Sequence, residues 1–130
     1  MARLPKVIAV VDDDPGVRNA TVKLLSAFGC RTEAYPSAEA YLAARGISDA
    51  TCLILDVDLG TCSGFELARR LVADGCRFPI IFMTGRDDAA TRQQAVAAGC
   101  VALMSKPFFA GMLIETLLKA GDHAPSDADG

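Results

Sequence analysis

Short apolar runs recur along the chain, separated by segments long enough to hold one helix each. The clear runs lie at 7–11, 52–55, 80–83 and 101–104, and a weaker one extends from Cys30 to Tyr35. Uninterrupted apolar runs of this length, rich in β-branched residues, are typical of strands that are buried on both faces of a sheet. We therefore predict five strands, β1 to β5 in chain order, at residues 6–11, 30–35, 52–56, 79–84 and 101–105.

The segments between the strands have helical patterns. Pro15 suits the first turn of a helix and Gly29 its end, and Ser63 followed by Glu66 has the spacing of a capping box. The apolar face predicted for the first helix consists of Val17, Ala20, Thr21, Leu24, Leu25 and Phe28. The face predicted for the third consists of Phe65, Ala68, Leu71 and Val72. The predicted helices, α1 to α5, span residues 15–28, 37–45, 63–74, 88–98 and 109–120.

Strands that alternate with helices predict an α/β fold, because each parallel connection between neighbouring strands needs a crossover. Five βα units give a doubly wound, five-stranded parallel sheet that is covered by helices on both faces. One domain is expected over residues 1–120. Residues 121–130 are polar and contain Gly and Pro, so we expect a flexible tail or the stub of a linker there.

The composition excludes several classes of protein. The chain has 130 residues, 52% hydrophobic and 22% charged, which suits one folded domain. A net charge of −3 gives no basic surface for a nucleic-acid backbone, and no apolar run approaches the ~20 residues of a membrane span. We therefore expect a cytoplasmic protein without direct contact to nucleic acid or membrane. Five scattered cysteines without a CxxC pair predict neither a disulfide framework nor a zinc site.

Polar side chains stand at the carboxyl ends of four predicted strands. They are Asp12, Asp13 and Asp14 after β1, Asp56 at the end of β3, Thr84 at the end of β4 and Lys106 after β5. Ligands of open α/β sheets bind outside the carboxyl ends of the strands, near the point where the strand order reverses. These side chains are therefore expected to share one site.

Crowded carboxylates repel one another, and a hard cation such as Mg²⁺, which prefers oxygen ligands, would relieve that repulsion. A magnesium ion would also offset the charge between Asp56 and an incoming phosphoryl group. Lys106 would add a positive charge, and Thr84 could donate a hydrogen bond. Asp56 is then predicted to act as a nucleophile that forms an acyl phosphate.

Each of these residues also has a plain structural interpretation. The acids after β1 could form a turn and cap α1, and the segment from Asp56 to Asp58 could be another turn. Thr84 could simply end a strand, and Lys106 could be a solvated surface residue. The combination favours a shared site, because independent accidents would rarely place all of these residues at successive strand ends in this order.

The same residues give the chain its resemblance to the receiver domains of two-component response regulators, the CheY-like superfamily. The resemblance covers about residues 6–120. Its motifs here are Val10-Val11-Asp12-Asp13-Asp14, Leu53-Ile54-Leu55-Asp56, Ser63-Gly64-Phe65-Glu66-Leu67, Phe82-Met83-Thr84-Gly85 and Lys106-Pro107-Phe108. The segment from Ser37 to Leu42 is also similar to nitrogen-fixation and LuxR-type regulators, which often carry a helix-turn-helix output domain. The resemblance implies a flavodoxin-like (βα)5 fold with the strand order 2-1-3-4-5.

The resemblance also implies a role for each site residue. Asp56 would be phosphorylated. The implied magnesium ligands are Asp13, Asp56, the backbone carbonyl of Asp58 and, through water, Asp12. Lys106 would pair with Asp56 at rest and with the phosphoryl oxygens afterwards, while Thr84 would move toward the phosphoryl group. A cis peptide is implied between Lys106 and Pro107.

Leu103 and Gly60 are among the positions that depart from the family pattern. Leu103 stands where the family usually has Tyr or Phe, and a leucine cannot perform the swing of an aromatic ring. Activation is therefore expected to rest on Thr84, the β4–α4 loop and repacking of α4. Gly60 stands where many members have proline, so the β3–α3 loop is expected to be less restrained.

The function implied is that of a phosphoacceptor in two-component signal transduction. It would not be an enzyme beyond reacting with small phosphodonors and losing its own phosphoryl group. The phosphoryl donor would be a sensor histidine kinase or a phosphotransfer protein. The surface of α4, β5 and α5 would then change for a partner, an output domain or a second copy. The protein would be either a free-standing regulator or a receiver cut from a longer chain.

Two other functions compete with this one. The pair Asp56 and Asp58, with Thr84 and a later lysine, is also similar to haloacid-dehalogenase-type phosphatases. Those enzymes usually place their DxD motif on the first strand, whereas Asp12 and Asp13 precede it here. A flavodoxin-like carrier ranks last, because the sequence lacks an obvious phosphate-cradling loop rich in Gly, Ser and Thr.

Overall fold

The computed structural model describes residues 4–106, 108 and 110–123, and strands alternate with helices throughout this part of the chain. The strands β1 to β5 are Val7–Val11, Arg31–Tyr35, Cys52–Asp56, Ile80–Thr84 and Ala102–Ser105. The helices α1 to α5 are Pro15–Ala27, Ala38–Ala44, Gly64–Ala73, Ala89–Ala97 and Ala110–His123. A short 3₁₀ helix, Arg45–Ile47, follows α2.

The strands form one parallel sheet in the order β2-β1-β3-β4-β5. This confirms the predicted doubly wound, flavodoxin-like arrangement. The strand order reverses between β1 and β3, because the chain adds β2 on one side of β1 and then returns to add β3 on the other. The carboxyl ends of β1 and β3 therefore border the crevice in which ligands of such sheets bind.

Helices cover both faces of the sheet, and each face has its own buried cluster. The side chains of β1, β3 and β4 alternate between the two faces, so these strands are buried at every position. Beneath α2, α3 and α4 lie Ala9, Val11, Leu53, Leu55 and Phe82. Beneath α1 and α5 lie Ile8, Val10, Ile54, Ile81 and Met83. Burial on both faces accounts for the uninterrupted apolar runs in the sequence.

The strand β2 lies at the edge of the sheet, and none of its residues is fully buried. Glu33 accepts hydrogen bonds from the hydroxyls of Ser48 at 2.6 Å and Tyr35 at 2.8 Å, which ties the segment after the 3₁₀ helix to this strand. Burial and the neighbouring Glu33 carboxylate raise the pKa of Tyr35 to about 12, so its phenol remains a donor. Tyr41 of α2 packs edge-on against Tyr35, with ring centroids 5.4 Å apart. The edge position explains the weak apolar pattern of β2.

The predicted spans agree with the observed ones to within one residue at almost every end. The exception is the end of α5, which continues to His123 and therefore extends into the predicted tail. The rest of that tail, residues 124–130, and Pro107 with its implied cis peptide lie outside the described residues.

Parts of the predicted helix faces were wrong. On α1, Thr21 and Leu25 are buried, but Ala20 and Phe28 are exposed. Ala20 is about 100° around the helix from Thr21, and Phe28 is the C-cap residue, beyond the turns that pack on the sheet. On α3, Val72 is 49% exposed, since it follows the buried Leu71 around the helix.

Ser63 is the N-cap of α3, as its position in the motif predicts, but its hydroxyl does not make the hydrogen bond that defines a capping box. The Ser63 hydroxyl accepts from the backbone N–H of Phe65 at 2.9 Å. The backbone N–H of Glu66, which a capping box would direct to that hydroxyl, bonds the Ser63 carbonyl at 3.1 Å. The first turn is therefore tighter than the capping-box pattern implies.

Replacing Ile54 by alanine tests the packing of the sheet. Ile54 is 0% exposed on the central strand, and Ile47 in the 3₁₀ helix is 88% exposed. Ile54→Ala is expected to lower the free energy of unfolding by about 2–5 kcal/mol, whereas Ile47→Ala, the same chemical change, should alter it by less than about 0.5 kcal/mol. Urea denaturation followed by circular dichroism measures both. Equal losses would contradict the assigned core.

Candidate functional site

The three acids after β1 take different positions. Asp14 is the N-cap of α1, and its carboxylate accepts from the backbone N–H groups of Gly16 at 2.8 Å and Val17 at 3.3 Å. The interpretation of these acids as a helix cap therefore holds for Asp14. Asp12 is fully buried and Asp13 is exposed, and both carboxylates lie at the rim of the sheet.

Asp56, at the end of β3, completes an acidic cluster with Asp12 and Asp13. Each residue contributes one carboxylate oxygen, and these oxygens lie within 4.8 Å of one another. The backbone N–H of Asp14 donates to Asp12 Oδ1 at 2.9 Å, and that of Asp58 donates to Asp56 Oδ1 at 3.1 Å. Hard oxygen donors grouped in this way fit Mg²⁺, which is usually bound by a few carboxylates and keeps several waters.

Lys106 brings a positive charge to the cluster from the end of β5. Its ammonium nitrogen lies 2.8 Å from Asp56 Oδ2 and 3.3 Å from Asp12 Oδ2. Its backbone N–H donates to the Thr84 carbonyl at 2.7 Å. The side chain is only 21% exposed, so Lys106 is an ion-paired residue of the rim and not a solvated surface lysine. This one residue contacts the ends of β1, β3 and β4.

Burial and neighbouring charges shift the pKa values in this cluster. Burial raises the pKa of Asp12 to about 6; the charge of Asp56 adds to this, while the hydrogen bond from Asp14 and the charge of Lys106 oppose it. Burial acts to lower the pKa of Lys106, but its hydrogen bonds and ion pairs with Asp56 and Asp12 outweigh burial and raise that pKa. The lysine therefore remains charged. Because it faces more than one carboxylate, a further cation would lower the energy of the site.

Thr84, at the end of β4, is buried, and its hydroxyl is engaged within its own loop. The hydroxyl donates to the Arg86 carbonyl at 3.0 Å and accepts from the Arg86 backbone N–H at 2.9 Å. Thr84 therefore reaches the same rim as Asp56, but a hydrogen bond from its hydroxyl to a group held at Asp56 would require the bond that it donates to the Arg86 carbonyl to break.

An open cleft of about 570 Å³ extends from Asp56 between the β3–α3 and β4–α4 loops. Its lining includes Asp58, Thr84, Arg86 and Gln94. Arg86 and Gln94 were not among the site residues predicted from the sequence. Arg86 follows a predicted site residue by two positions, a signal that could have indicated it. Gln94 lies on α4, and its local sequence gives no sign that it faces the cleft.

A close turn connects Asp56 to α3. Asp58 has an exposed side chain, and its Oδ1 accepts from the Gly60 backbone N–H at 3.1 Å. Gly60 has a φ of +81°, which proline cannot adopt, and a Cβ at this position would lie 3.2 Å from Asp13 Oδ2. A Cβ on Gly64 would collide with the Asp56 carbonyl. Glycine at residue 60 thus permits a turn that proline could not form. The lower restraint expected for the β3–α3 loop remains a prediction.

Leu103 lies on β5 opposite Phe82 of β4. Its partly buried side chain packs against the cluster beneath α2, α3 and α4. The position at which the family usually has an aromatic ring is therefore filled by an aliphatic residue on the face of the sheet that carries α4.

Comparison with known proteins identifies the class to which this fold and this rim belong. Residues 8–118 match the model of the family described as "Response regulator receiver domain", and the chain belongs to that family. Response regulator protein TmoT of Ectopseudomonas mendocina is 35% identical over 95% of this chain and 56% of its own length. TodT of Pseudomonas putida F1 is 34% identical over 96% of this chain and 55% of its own length. The chain thus spans about half the length of the curated relatives it matches.

Solved structures agree with this assignment. The crystal structure of FixJ-N has a TM-score of 0.85 with 30% identity, covering 97% of this chain and 99% of that one. A response regulator receiver protein from Burkholderia phymatum has a TM-score of 0.80 with 35% identity, covering 92% and 98%. Receiver domains are the signal-receiving parts of response regulators in two-component systems. Within the described residues, no helix has the length and apolar character needed to cross a membrane.

The raised pKa of Asp12 predicts a pH-dependent stability in the metal-free protein. The folded state binds the Asp12 proton more tightly than the unfolded chain, whose aspartate pKa is about 3.9. Stabilisation from this group is therefore complete below pH ~4 and is lost as the pH rises through about 6. Asp12→Asn removes this dependence and should gain about 1–3 kcal/mol relative to the unmodified protein between pH 4 and 7.

Urea denaturation in EDTA at a series of pH values measures the effect, with the chelator excluding metal binding as a cause. A stability difference between Asp12→Asn and the unmodified protein that is the same at pH 4 and pH 7 would contradict the raised pKa.

Proposed function

We propose that this receiver accepts a phosphoryl group on Asp56, in a magnesium-dependent transfer from a sensor histidine kinase or a phosphotransfer protein. The observation that carries the proposal is the position of the Asp56 carboxylate. It ends the central strand, pairs with Lys106 at 2.8 Å, belongs to the cluster with Asp12 and Asp13, and opens to the cleft. The family match and relatives named as response regulators support it.

In the proposed step, one carboxylate oxygen of Asp56 attacks the phosphorus of a phosphohistidine. The P–O bond forms as the P–N bond breaks, and the imidazole leaves with the electron pair of that bond and takes up a proton. Lys106 stabilises the charge on the phosphoryl oxygens. Its raised pKa keeps it cationic, so it acts as a charge and not as a proton donor.

The residues proposed to hold Mg²⁺ are Asp13, Asp56, the backbone carbonyl of Asp58 and, through water, Asp12. When bound, the ion supplies positive charge between the carboxylates and the phosphoryl oxygens. Direct ligation suits Asp13, because its exposed carboxylate meets a hydrated ion without rearrangement. Asp12 is buried and already bonded to Asp14 and Lys106, which suits contact through a retained water.

The signal is proposed to leave the site through Thr84 and the β4–α4 loop. If the Thr84 hydroxyl donates to the phosphoryl group instead of to the Arg86 carbonyl, that carbonyl loses its partner and the loop must readjust. Asp87 in the loop accepts two hydrogen bonds, of 2.6 and 2.9 Å, from the Arg92 side chain of α4, so the helix is coupled to the loop. The helix α4 buries only two small side chains, so its alternative positions differ little in buried apolar area.

The surface of α4, β5 and α5 is the proposed output face, for a partner, an output domain or a second copy of the receiver. FixJ of Azorhizobium caulinodans is named a transcriptional regulatory protein, and this chain covers 48% of it. We propose that the receiver controls such an output by protein contact, in the cytoplasm. With a net charge of −3, it is not proposed to bind nucleic acid itself or to contact a membrane.

The alternative of a haloacid-dehalogenase-like phosphatase using Asp56 and Asp58 is not favoured. The family match extends over residues 8–118 and includes both acids. The Asp58 carboxylate bonds the Gly60 N–H within its own turn. The proposed activity is that of a signalling phosphoacceptor, limited to reaction with small phosphodonors and loss of its own phosphoryl group.

Phosphorylation by acetyl phosphate with Mg²⁺ tests the acceptor. We expect one added phosphoryl group per chain, located at Asp56 by mass spectrometry and lost in Asp56→Asn. The Asp56 carboxylate pairs with Lys106 and lines the cleft, whereas Asp12, the other carboxylate beside Lys106, is fully buried. Asp58→Asn is the matched control: it changes a nearby acid, retains the backbone carbonyl and should still be labelled. Equal labelling of Asp56→Asn would exclude the acceptor, and labelling unchanged by EDTA would exclude the metal.

Binding of beryllofluoride, a phosphoryl mimic, tests the route of the signal. We expect the largest NMR chemical-shift changes across residues 85–105, because the Thr84 hydroxyl must give up its bond to the Arg86 carbonyl in order to donate to the mimic. Thr84→Ala should bind the mimic but lose most of the response in α4. Leu103→Phe should change the amplitude of that response and leave phosphorylation nearly intact.

Shift changes confined to the immediate neighbours of Asp56, with α4 unmoved, would refute this route. If Leu103→Phe changed neither phosphorylation nor the response of α4, Leu103 would be a core residue of β5 without a part in switching.

A further inference from the structure

Arg18 closes the first turn of α1, directly beside the acidic loop. Its side-chain NH1 donates to the backbone carbonyl of Asp12 at 2.8 Å. β1 ends at Val11, so this carbonyl lies beyond the strand, and the guanidinium supplies it with a hydrogen bond from across the loop. The backbone N–H of Arg18 donates to the Asp14 carbonyl at 2.9 Å, which places the arginine at the base of the helix that follows the acids.

With this bond, every polar group of Asp12 is hydrogen-bonded. Its backbone N–H donates to the Tyr35 carbonyl at 3.2 Å. Its carboxylate accepts from the Asp14 N–H at 2.9 Å and from the Lys106 ammonium at 3.3 Å. Its carbonyl is held by Arg18. The carbonyl belongs to the planar peptide group that continues into the backbone nitrogen of Asp13, so fixing the carbonyl also fixes the direction in which residue 13 leaves the strand.

The position of the Asp13 carboxylate depends on this peptide more than the positions of the Asp12 and Asp56 carboxylates do. The buried Asp12 and Asp56 have carboxylates fixed by hydrogen bonds from backbone and Lys106. The carboxylate of Asp13 is exposed to solvent, yet one of its oxygens lies within 4.8 Å of the other two carboxylates. A side chain that packing does not restrain takes its position from its backbone.

We propose that Arg18 is a positioning residue of the acidic site: its guanidinium holds the Asp12–Asp13 peptide so that the Asp13 carboxylate faces Asp56. The inference rests on the proposed magnesium site. Outer groups that orient metal ligands typically change metal affinity by about 10–100-fold when they are removed.

The sign of the effect separates positioning from charge. A guanidinium beside a cation site repels the cation, so loss of its charge alone would strengthen Mg²⁺ binding. Loss of positioning would weaken it. The variant Arg18→Met removes both the charge and the donor, and the two explanations therefore predict opposite changes in the dissociation constant.

The experiment measures the Mg²⁺ dissociation constant by NMR titration of backbone amides in the unphosphorylated protein. Arg18→Met is expected to bind Mg²⁺ about tenfold more weakly. Arg31→Met is the matched control, because Arg31 pairs with Asp49 at 2.7 Å at the start of β2, at the opposite end of the sheet. That control should bind as the unmodified protein does. Without metal, the Asp12 carbonyl ¹³C resonance should shift in Arg18→Met and stay in place in Arg31→Met, reporting loss of the hydrogen bond directly.

Unfolding in urea is followed for each variant, and Arg18→Ala, which also lacks the charge and the donor and favours a helix, provides the same comparison if Arg18→Met does not fold. Arg18→Lys, which retains the charge and one donor group, should recover part of the affinity. Mg²⁺ binding by the neutral variant that is equal to or tighter than that of the unmodified protein would overturn the role of Arg18. Absence of Mg²⁺ binding in the unmodified protein would instead overturn the proposed metal site, and the inference with it.

Discussion

The contacts of the Lys106 ammonium with Asp12 and Asp56 hold the rim of this sheet together. Both carboxylates are largely buried, and without a cation between them their charges would repel in a medium of low dielectric. The backbone of the same lysine bonds the end of β4. One residue thus links the carboxyl ends of the first, third and fourth strands. The two buried carboxylates of the site therefore face one shared positive charge.

Around this lysine, the site divides into fixed and adjustable parts. Asp12 and Asp56 are fixed, because backbone N–H groups and the ammonium hold them. Thr84 is adjustable, because its hydroxyl is satisfied by a turn within its own loop. Carboxylates that are already fixed favour the binding of a cation, because few groups have to reorganise when it binds. The loop with an alternative set of hydrogen bonds supplies the movement that a signalling domain needs.

The strands, the helices and the grouping of polar side chains at one rim could be predicted from local pattern, whereas the strand order came from the resemblance to receiver domains. Apolar runs predicted the strands, and acids or a lysine at the ends of strands predicted that these side chains share one rim of the sheet. The sequence did not predict the features that tertiary contacts determine. The bond of Arg18 to the Asp12 carbonyl, the reciprocal bonds of Thr84 with Arg86 and the positive φ of Gly60 all depend on backbone directions in loops. No periodicity encodes those directions.

The charged edge of the sheet at β2 bears on how the molecule behaves in a crowded cell. Edge strands carry unpaired backbone groups that can recruit a strand from another molecule and start fibrous aggregates. Here the edge is short, Arg31 is paired with Asp49, and Glu33 binds the Asp49 backbone N–H and the Ser48 hydroxyl. Charges and a bound loop at this edge discourage a foreign strand from adding to the sheet. A sheet shared between molecules is therefore disfavoured at β2, and association is left to the opposite edge of the sheet, where the proposed output face of α4, β5 and α5 lies.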